Sequence, residues 1–139
     1  MKKTFMLLAL VLLWTTGISM AQTTEYNVVF DLTSKDTSNH ATVIRWLKGI
    51  SKSNPAAQME VVLYGRSLGM VVADRSTVAK DVKALATNKN ITFKVCEIAM
   101  KNQQVEKGQL LPGVQTVPDG IFEIVSKQQQ GWGYIKSGM

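Results

Sequence analysis

Three short apolar runs, each followed by a stretch with helical spacing, constrain this chain more than any other feature. They are Tyr26 to Leu32, Met59 to Tyr64 and Ile91 to Cys96. The first two are near-continuous and rich in Val, Leu and Phe, the pattern of strands covered on both faces. In the third, Ile91, Phe93 and Val95 alternate with Thr92, Lys94 and Cys96, so the two sets point to opposite faces of a sheet. Between the first two runs, Ser38 or Asn39 caps a helix whose Val43, Trp46, Leu47 and Ile50 repeat at i, i+3, i+4, i+7, and Asn54-Pro55 ends it. After an apolar turn from Ser67 to Ala73, Asp74 or Ser76 opens a second helix carrying Val78, Val82 and Leu85.

Beyond the third run, Ile98 to about Gln109 reads as helix and Gln115 to Val117 as a short strand. Pro118-Asp119-Gly120 then turns into a helix with Ile121, Ile124, Val125 and Gln128 in register; Gly131 suits its C-cap, and Trp132 to Lys136 reads as a fifth strand. Strands separated by helices pair in parallel through right-handed crossovers. The expected fold class is therefore α/β: a single-domain parallel sheet of about five strands with helices on both faces. Ligands in such sheets gather beyond the carboxyl ends of the strands, where Cys96 sits just before a helix.

The amino-terminal segment has a different character. Met1-Lys2-Lys3 is a cationic head, Phe5 to Trp14 is apolar, and Ser19-Met20-Ala21 presents small residues for cleavage before Gln22. Residues 1–21 thus read as a secretory signal and residues 22–139 as one mature domain. The apolar stretch falls short of the roughly 20 residues needed to span a bilayer, so no stable membrane insertion is expected. The expected location is the periplasm or the extracellular space. Losing Lys2 and Lys3 lowers the formal charge from +6 to +4, and the remaining basic residues are scattered from Lys35 to Lys136. Nucleic-acid binders cluster theirs, so no nucleic-acid partner is expected.

Cys96 is the only cysteine, which excludes an internal disulfide. In an oxidising compartment such a thiol is buried and inert, joined to another molecule, or kept for reaction. The start of a helix favours the thiolate, while the adjacent Glu97 repels it, and Lys94 and Lys101 are placed to offset Glu97. His40, the only histidine, reads as a solvated residue at a helix start. One His and one Cys make a poor zinc site, so neither a metal nor a cofactor is expected. Gly65-Arg66-Ser67-Leu68-Gly69 matches neither the dinucleotide nor the Walker pattern. Arg66 is either a surface arginine or, leaving the sheet at the same edge as Cys96, a guanidinium for a sulfur oxyanion. Trp46, Trp132 and Tyr134 have no interleaved basic residues and suit a core or an interface better than base stacking.

These spacings resemble the DsrE/DsrF-like family of small sulfur-handling α/β proteins over most of residues 22–139. The resemblance is carried by the strand ending in Tyr64-Gly65, by Cys96 with Met100-Lys101 after it, and by the last third of the chain. There, Leu110-Leu111-Pro112-Gly113-Val114, Val117-Pro118-Asp119-Gly120, Glu123-Ile124-Val125, Gln129 and Gly131-Trp132-Gly133-Tyr134-Ile135 follow the family in order. The family often has His-Gly where this chain has Tyr64-Gly65, and Asn-Thr near Glu97-Ile98-Ala99. The resemblance implies trimers or hexamers and a cysteine, matching Cys96, that carries sulfur as a persulfide and exchanges it with a donor or acceptor protein or a small sulfur species. Tyr64, Gly65, Arg66 and Glu97 are the expected binding residues around it. The alternative is a non-catalytic homo-oligomeric binding or assembly module in which Cys96 is inert and the Ser67–Ala73 turn and Trp132 form the subunit interface.

Overall fold

The computed structural model describes residues 25–138. The export-signal reading of residues 1–21 lies outside them. Five strands, β1 (Asn27–Leu32), β2 (Gln58–Leu63), β3 (Ile91–Cys96), β4 (Gln115–Val117) and β5 (Gly133–Ser137), form one sheet in the order β4-β3-β2-β1-β5, with every pairing parallel. Four helices connect them: α1 (Thr37–Ser53), α2 (Ala79–Leu85), α3 (Glu97–Asn102) and α4 (Gly120–Gln129). The first three crossovers step one way along the sheet and the fourth returns across it. Right-handed connections then place α1 to α3 on one face and α4 on the other.

Side-chain packing follows this division. Phe30, Leu32, Val61, Leu63, Phe93 and Val95 point to the three-helix face and pack with Val43 and Leu47 of α1, Val82 of α2 and Met100 of α3. The Phe30 ring stacks on Trp46 at 6.1 Å. The opposite face has a much smaller apolar cluster, Val29 and Val62 beneath Ile124 of α4, with Tyr64 and Trp132 at its edges.

Charge does the rest of the work there. Lys94 Nζ lies 3.0 Å from Glu60 and 2.7 Å from Glu123, and Lys127 Nζ lies 3.2 Å from Glu60 and 3.9 Å from Glu123. Two carboxylates and two ammonium groups thus alternate between sheet and helix, and Lys127 also sits 4.3 Å over the Trp132 ring. Burial pushes the Glu60 carboxyl above its ordinary value, aided by its hydrogen bond with Glu123. Burial pushes Glu123 up, but its bonds with Lys94 and Glu60 and the charges of Lys94 and Lys127 together outweigh it and hold its carboxyl below the ordinary value.

Several local expectations are corrected. Asp36, not Ser38 or Asn39, caps α1, its carboxylate accepting the Ser38 N–H at 2.9 Å. His40 is buried rather than solvated, its Nε2 2.9 Å from the Ser34 carbonyl oxygen. The apolar side chains of the Ser67–Ala73 turn, expected at a subunit interface, pack inward: Leu68, Met70, Val71 and Val72 are fully buried in the core, and the Ser67 hydroxyl donates to the Leu32 carbonyl at 2.7 Å. Neither Asp74 nor Ser76 opens α2, because the Ser76 hydroxyl donates to the Met70 carbonyl and tightens the preceding loop. The helix expected from Ile98 to Gln109 stops at Asn102. Gln104 adopts the left-handed conformation of a helix C-terminus (φ 53°), the Val105 N–H returns to the Met100 carbonyl at 2.9 Å, and Val105 turns into the core. On α4, only Ile124 of the expected apolar stripe is buried, while Ile121 and Val125 face outward with Phe122.

Candidate functional site

Cys96 ends β3 and serves as N-cap of α3 with extended backbone (φ −67°, ψ 120°). Its alternation with Val95 places the thiol on the α4 face. Leu63 pairs with Val95, so the next residue of each strand, Tyr64 and Cys96, emerge side by side. On the other flank Cys96 pairs with Val117 of β4, and the chain there turns at once into α4.

Gly120, the first residue of α4, lies directly on this pair. A Cβ at Gly120 would stand 3.1 Å from Cys96 Cβ, 3.2 Å from Val62 Cγ1 and 3.4 Å from Tyr64 Cβ. Glycine lets the helix start this low on the sheet without any of these neighbours giving way.

The helices following β3 and β4 leave on opposite faces, and the divergence opens a crevice beyond the carboxyl ends of the strands, where the topology calls for one. A cavity of about 560 Å³ occupies it. Cys96, 5% exposed, contributes to its wall together with Tyr64, Gly65 and Arg66 from the end of β2. Lys35 enters from the loop after β1, Ile98, Ala99, Asn102 and Gln103 from α3, and Asp119 and Ile121 from α4. Gly65 adopts φ +59°, which favours glycine, and its carbonyl accepts from the Gln103 side chain, tying the β2 turn to α3.

Four of the five expected site residues therefore share one cavity. Glu97 does not line it. Its carboxylate bonds Lys107 at 2.9 Å and the Thr116 hydroxyl at 2.8 Å, and these partners, Lys107 first, hold its carboxyl below the ordinary value. Lys94 is occupied by Glu60 and Glu123.

The electrostatics of the Tyr64 corner come from a residue that sequence reasoning missed. Asp31, on the α4 face of β1, is 3% exposed; its Oδ2 accepts from the Tyr134 hydroxyl at 2.6 Å and lies 3.4 Å from Lys136 Nζ, while its Oδ1 has no partner among the described residues. Burial and then the charge of Asp31 push the Tyr64 phenol up to about 12, and hydrogen bonding to Asp31 pushes Tyr134 to the same value. Both tyrosines are neutral at ordinary pH; Tyr64 forms part of the cavity wall and Tyr134 donates to Asp31.

Lys35, Asp119 and Ile121 were also missed. Each lies far from Cys96 in sequence, and their signal was the sheet order: once β4 is placed beside β3, the residue after Pro118 must arrive at Cys96. Asp119 caps α4, accepting from the N–H groups of Ile121 at 2.8 Å and Phe122 at 3.3 Å. His40 lies outside the cavity, whose lining includes the thiol of Cys96.

Fold and site together define a parallel α/β domain with one thiol in a crevice at its strand ends. No family model matches the sequence, and no curated protein matches it. Solved structures do. The MTH1491 protein of Methanobacterium thermoautotrophicum, described as of unknown function, superposes with a TM-score of 0.75 at 28% identity, over 81% of this chain and 99% of its own. The ychN protein of E. coli gives 0.67 at 9% identity, over 81% and 98% of the two chains. BT1422 of Bacteroides thetaiotaomicron, a conserved protein of unknown function, gives 0.67 at 12% identity, over 80% and 94%. The last two likenesses concern the fold alone.

Proposed function

We propose that this protein is an exported sulfur carrier that binds sulfur on Cys96 as a persulfide and passes it on. The observation that carries the reading is the seat of the only thiol: Cys96 lines a cavity of about 560 Å³ with Tyr64 and Arg66, at the strand ends where α/β folds hold their ligands. The DsrE/DsrF-like spacing around Tyr64-Gly65, Cys96 and the last third of the chain supports it. Export rests on the pattern of residues 1–21. The direct test is intact-mass analysis after exposure to inorganic polysulfide. The wild-type protein should gain sulfur that a thiol reductant removes, and Cys96→Ser should gain none. A thiol that stays unmodified and resists alkylation contradicts the reading.

A second reading, the non-catalytic assembly module, is favoured by α4. Ile121, Phe122 and Val125 are 60%, 71% and 44% exposed on its outer side, a contiguous apolar strip beside the mouth of the cavity. Joining of a homo-oligomer through this strip is compatible with either role of Cys96. Phe122→Asp should then reduce the mass measured by light scattering to that of a smaller species, and an unchanged mass contradicts assembly through α4.

A further inference from the structure

We propose that the sulfur donor for Cys96 is a low-molecular-weight organic persulfide bearing carboxylates, rather than bare hydrosulfide or inorganic polysulfide. The proposal rests on the reading of Cys96 as a sulfur carrier and adds the chemical class of its substrate. Three observations carry it. The first is size. At about 560 Å³ the cavity lies inside the roughly 300–1,000 Å³ range of small-molecule sites, whereas a donor of one or two sulfur atoms needs little more than the ~30 Å³ share of a water molecule.

The second is the wall. Ile98 of α3 and Ile121 of α4 both line the cavity and are solvent-exposed, which gives a carbon skeleton an apolar seat that a small inorganic anion does not use. The third is charge. Lys35 and Arg66 both line the cavity, and among the described residues neither has an acidic partner within ion-pair distance. Asp119, the acidic residue of the lining, turns its Oδ1 to the backbone N–H groups of α4. The cavity thus sets two cations against one carboxylate, a net positive charge toward a ligand. A guanidinium matches a carboxylate through paired hydrogen bonds.

The step balances without an added oxidant. The Cys96 sulfur attacks the outer sulfur of R–S–SH, a Cys96 S–S bond forms, and the bond between that outer sulfur and R–S breaks. The leaving thiolate takes the proton lost by Cys96, so Cys96–SH and R–S–SH become Cys96–S–SH and R–SH. Both sides hold the same number of electrons.

The test loads the full chain with glutathione persulfide, with its diester, whose two carboxylates are capped, and with inorganic disulfide, at equal transferable sulfur, and follows Cys96 persulfidation by intact mass. Glutathione persulfide should load about tenfold faster than either of the other two donors, and Lys35→Ala with Arg66→Ala should bring its rate close to that of the diester. Equal rates for the acid and the diester, or faster loading by inorganic disulfide, overturn the proposal and leave the carrier reading standing. If none of the three places sulfur on Cys96, the carrier reading itself falls, and this proposal with it.

Discussion

At the scale of single residues, the site depends on an absence of atoms. Gly120 lets α4 descend until its backbone touches Cys96 and Tyr64, and the contacts a methyl group would meet there include two Cβ atoms fixed to the sheet. A methyl group there needs α4 or the end of β3 to shift by a few tenths of an ångström. Gly120→Ala should therefore cost about 1 kcal/mol in urea unfolding, the strain of overpacking exceeding the helix-propensity gain. It should also change the alkylation rate of Cys96, because α4 forms one wall of its cavity. An unchanged stability and rate would show that the helix start is free to move. Cys96 itself was legible in the sequence, since strand alternation and a following helix fixed its position. Asp31 was not: a carboxylate inside an apolar run reads as an irregularity until the strand register sets Lys136 beside it and Tyr134 reaches across from β5.

Among the elements, α4 explains most of what the sequence did not reveal. Its spacing predicts an inward stripe of Ile121, Ile124 and Val125, yet the helix buries Ile124 and sends the other two outward. The reason is the sheet beneath it. Glu60 and Lys94 occupy the positions an apolar stripe would need, so the inward side of α4 is set by Glu123 and Lys127. Lys94 is the pivot, with its side chain 18% exposed and bonded to both carboxylates. Burial alone would lower its pKa; the bonds to Glu123 and Glu60 outweigh that and raise it. Lys94 therefore keeps its charge and its stabilising role throughout the neutral range, losing it only as pH rises through that raised value.

Lys94→Met should cost about 3 kcal/mol at pH 7, because it leaves the buried Glu60 and the half-buried Glu123 facing each other with Lys127 alone between them. The sign of the pH dependence follows from the pair. A carboxyl held above its ordinary value, as Glu60 is, favours the fold below that ordinary value of 4.5 and loses its contribution as pH rises through the raised one. Glu123, held below its ordinary value, contributes above 4.5 and is lost as pH falls through the depressed one. Without Lys94 both carboxyls move upward, so the deficit of the variant should shrink between pH 7 and pH 5 in parallel unfolding curves. A deficit that grows toward pH 5 contradicts this account of α4. The end of α3 was equally hidden, because Gln104 in a left-handed turn carries none of the glycine signal that marks most helix ends.

For the whole molecule, the alternation of apolar runs and helical segments determines the fold class, and the structure agrees to within a residue or two at every strand. Strand order was not legible in the same way. Nothing local to β4 or β5 says that they occupy opposite edges of the sheet, and that order brings α4 over Cys96 and opens the crevice between β3 and β4. Four of the five expected site residues meet there because parallel strands deliver their carboxyl ends to one edge. Glu97 is the exception, since the first turn of α3 directs it to Lys107 and Thr116.

The central claim, that this crevice loads sulfur on one thiol, is tested most directly by the mass of the protein after exposure to a persulfide or polysulfide donor. Reductant-sensitive sulfur should appear on the wild-type chain, mapped to Cys96 and missing from Cys96→Ser. An unmodified thiol in the folded wild-type protein, or equal sulfur on the variant, would contradict it.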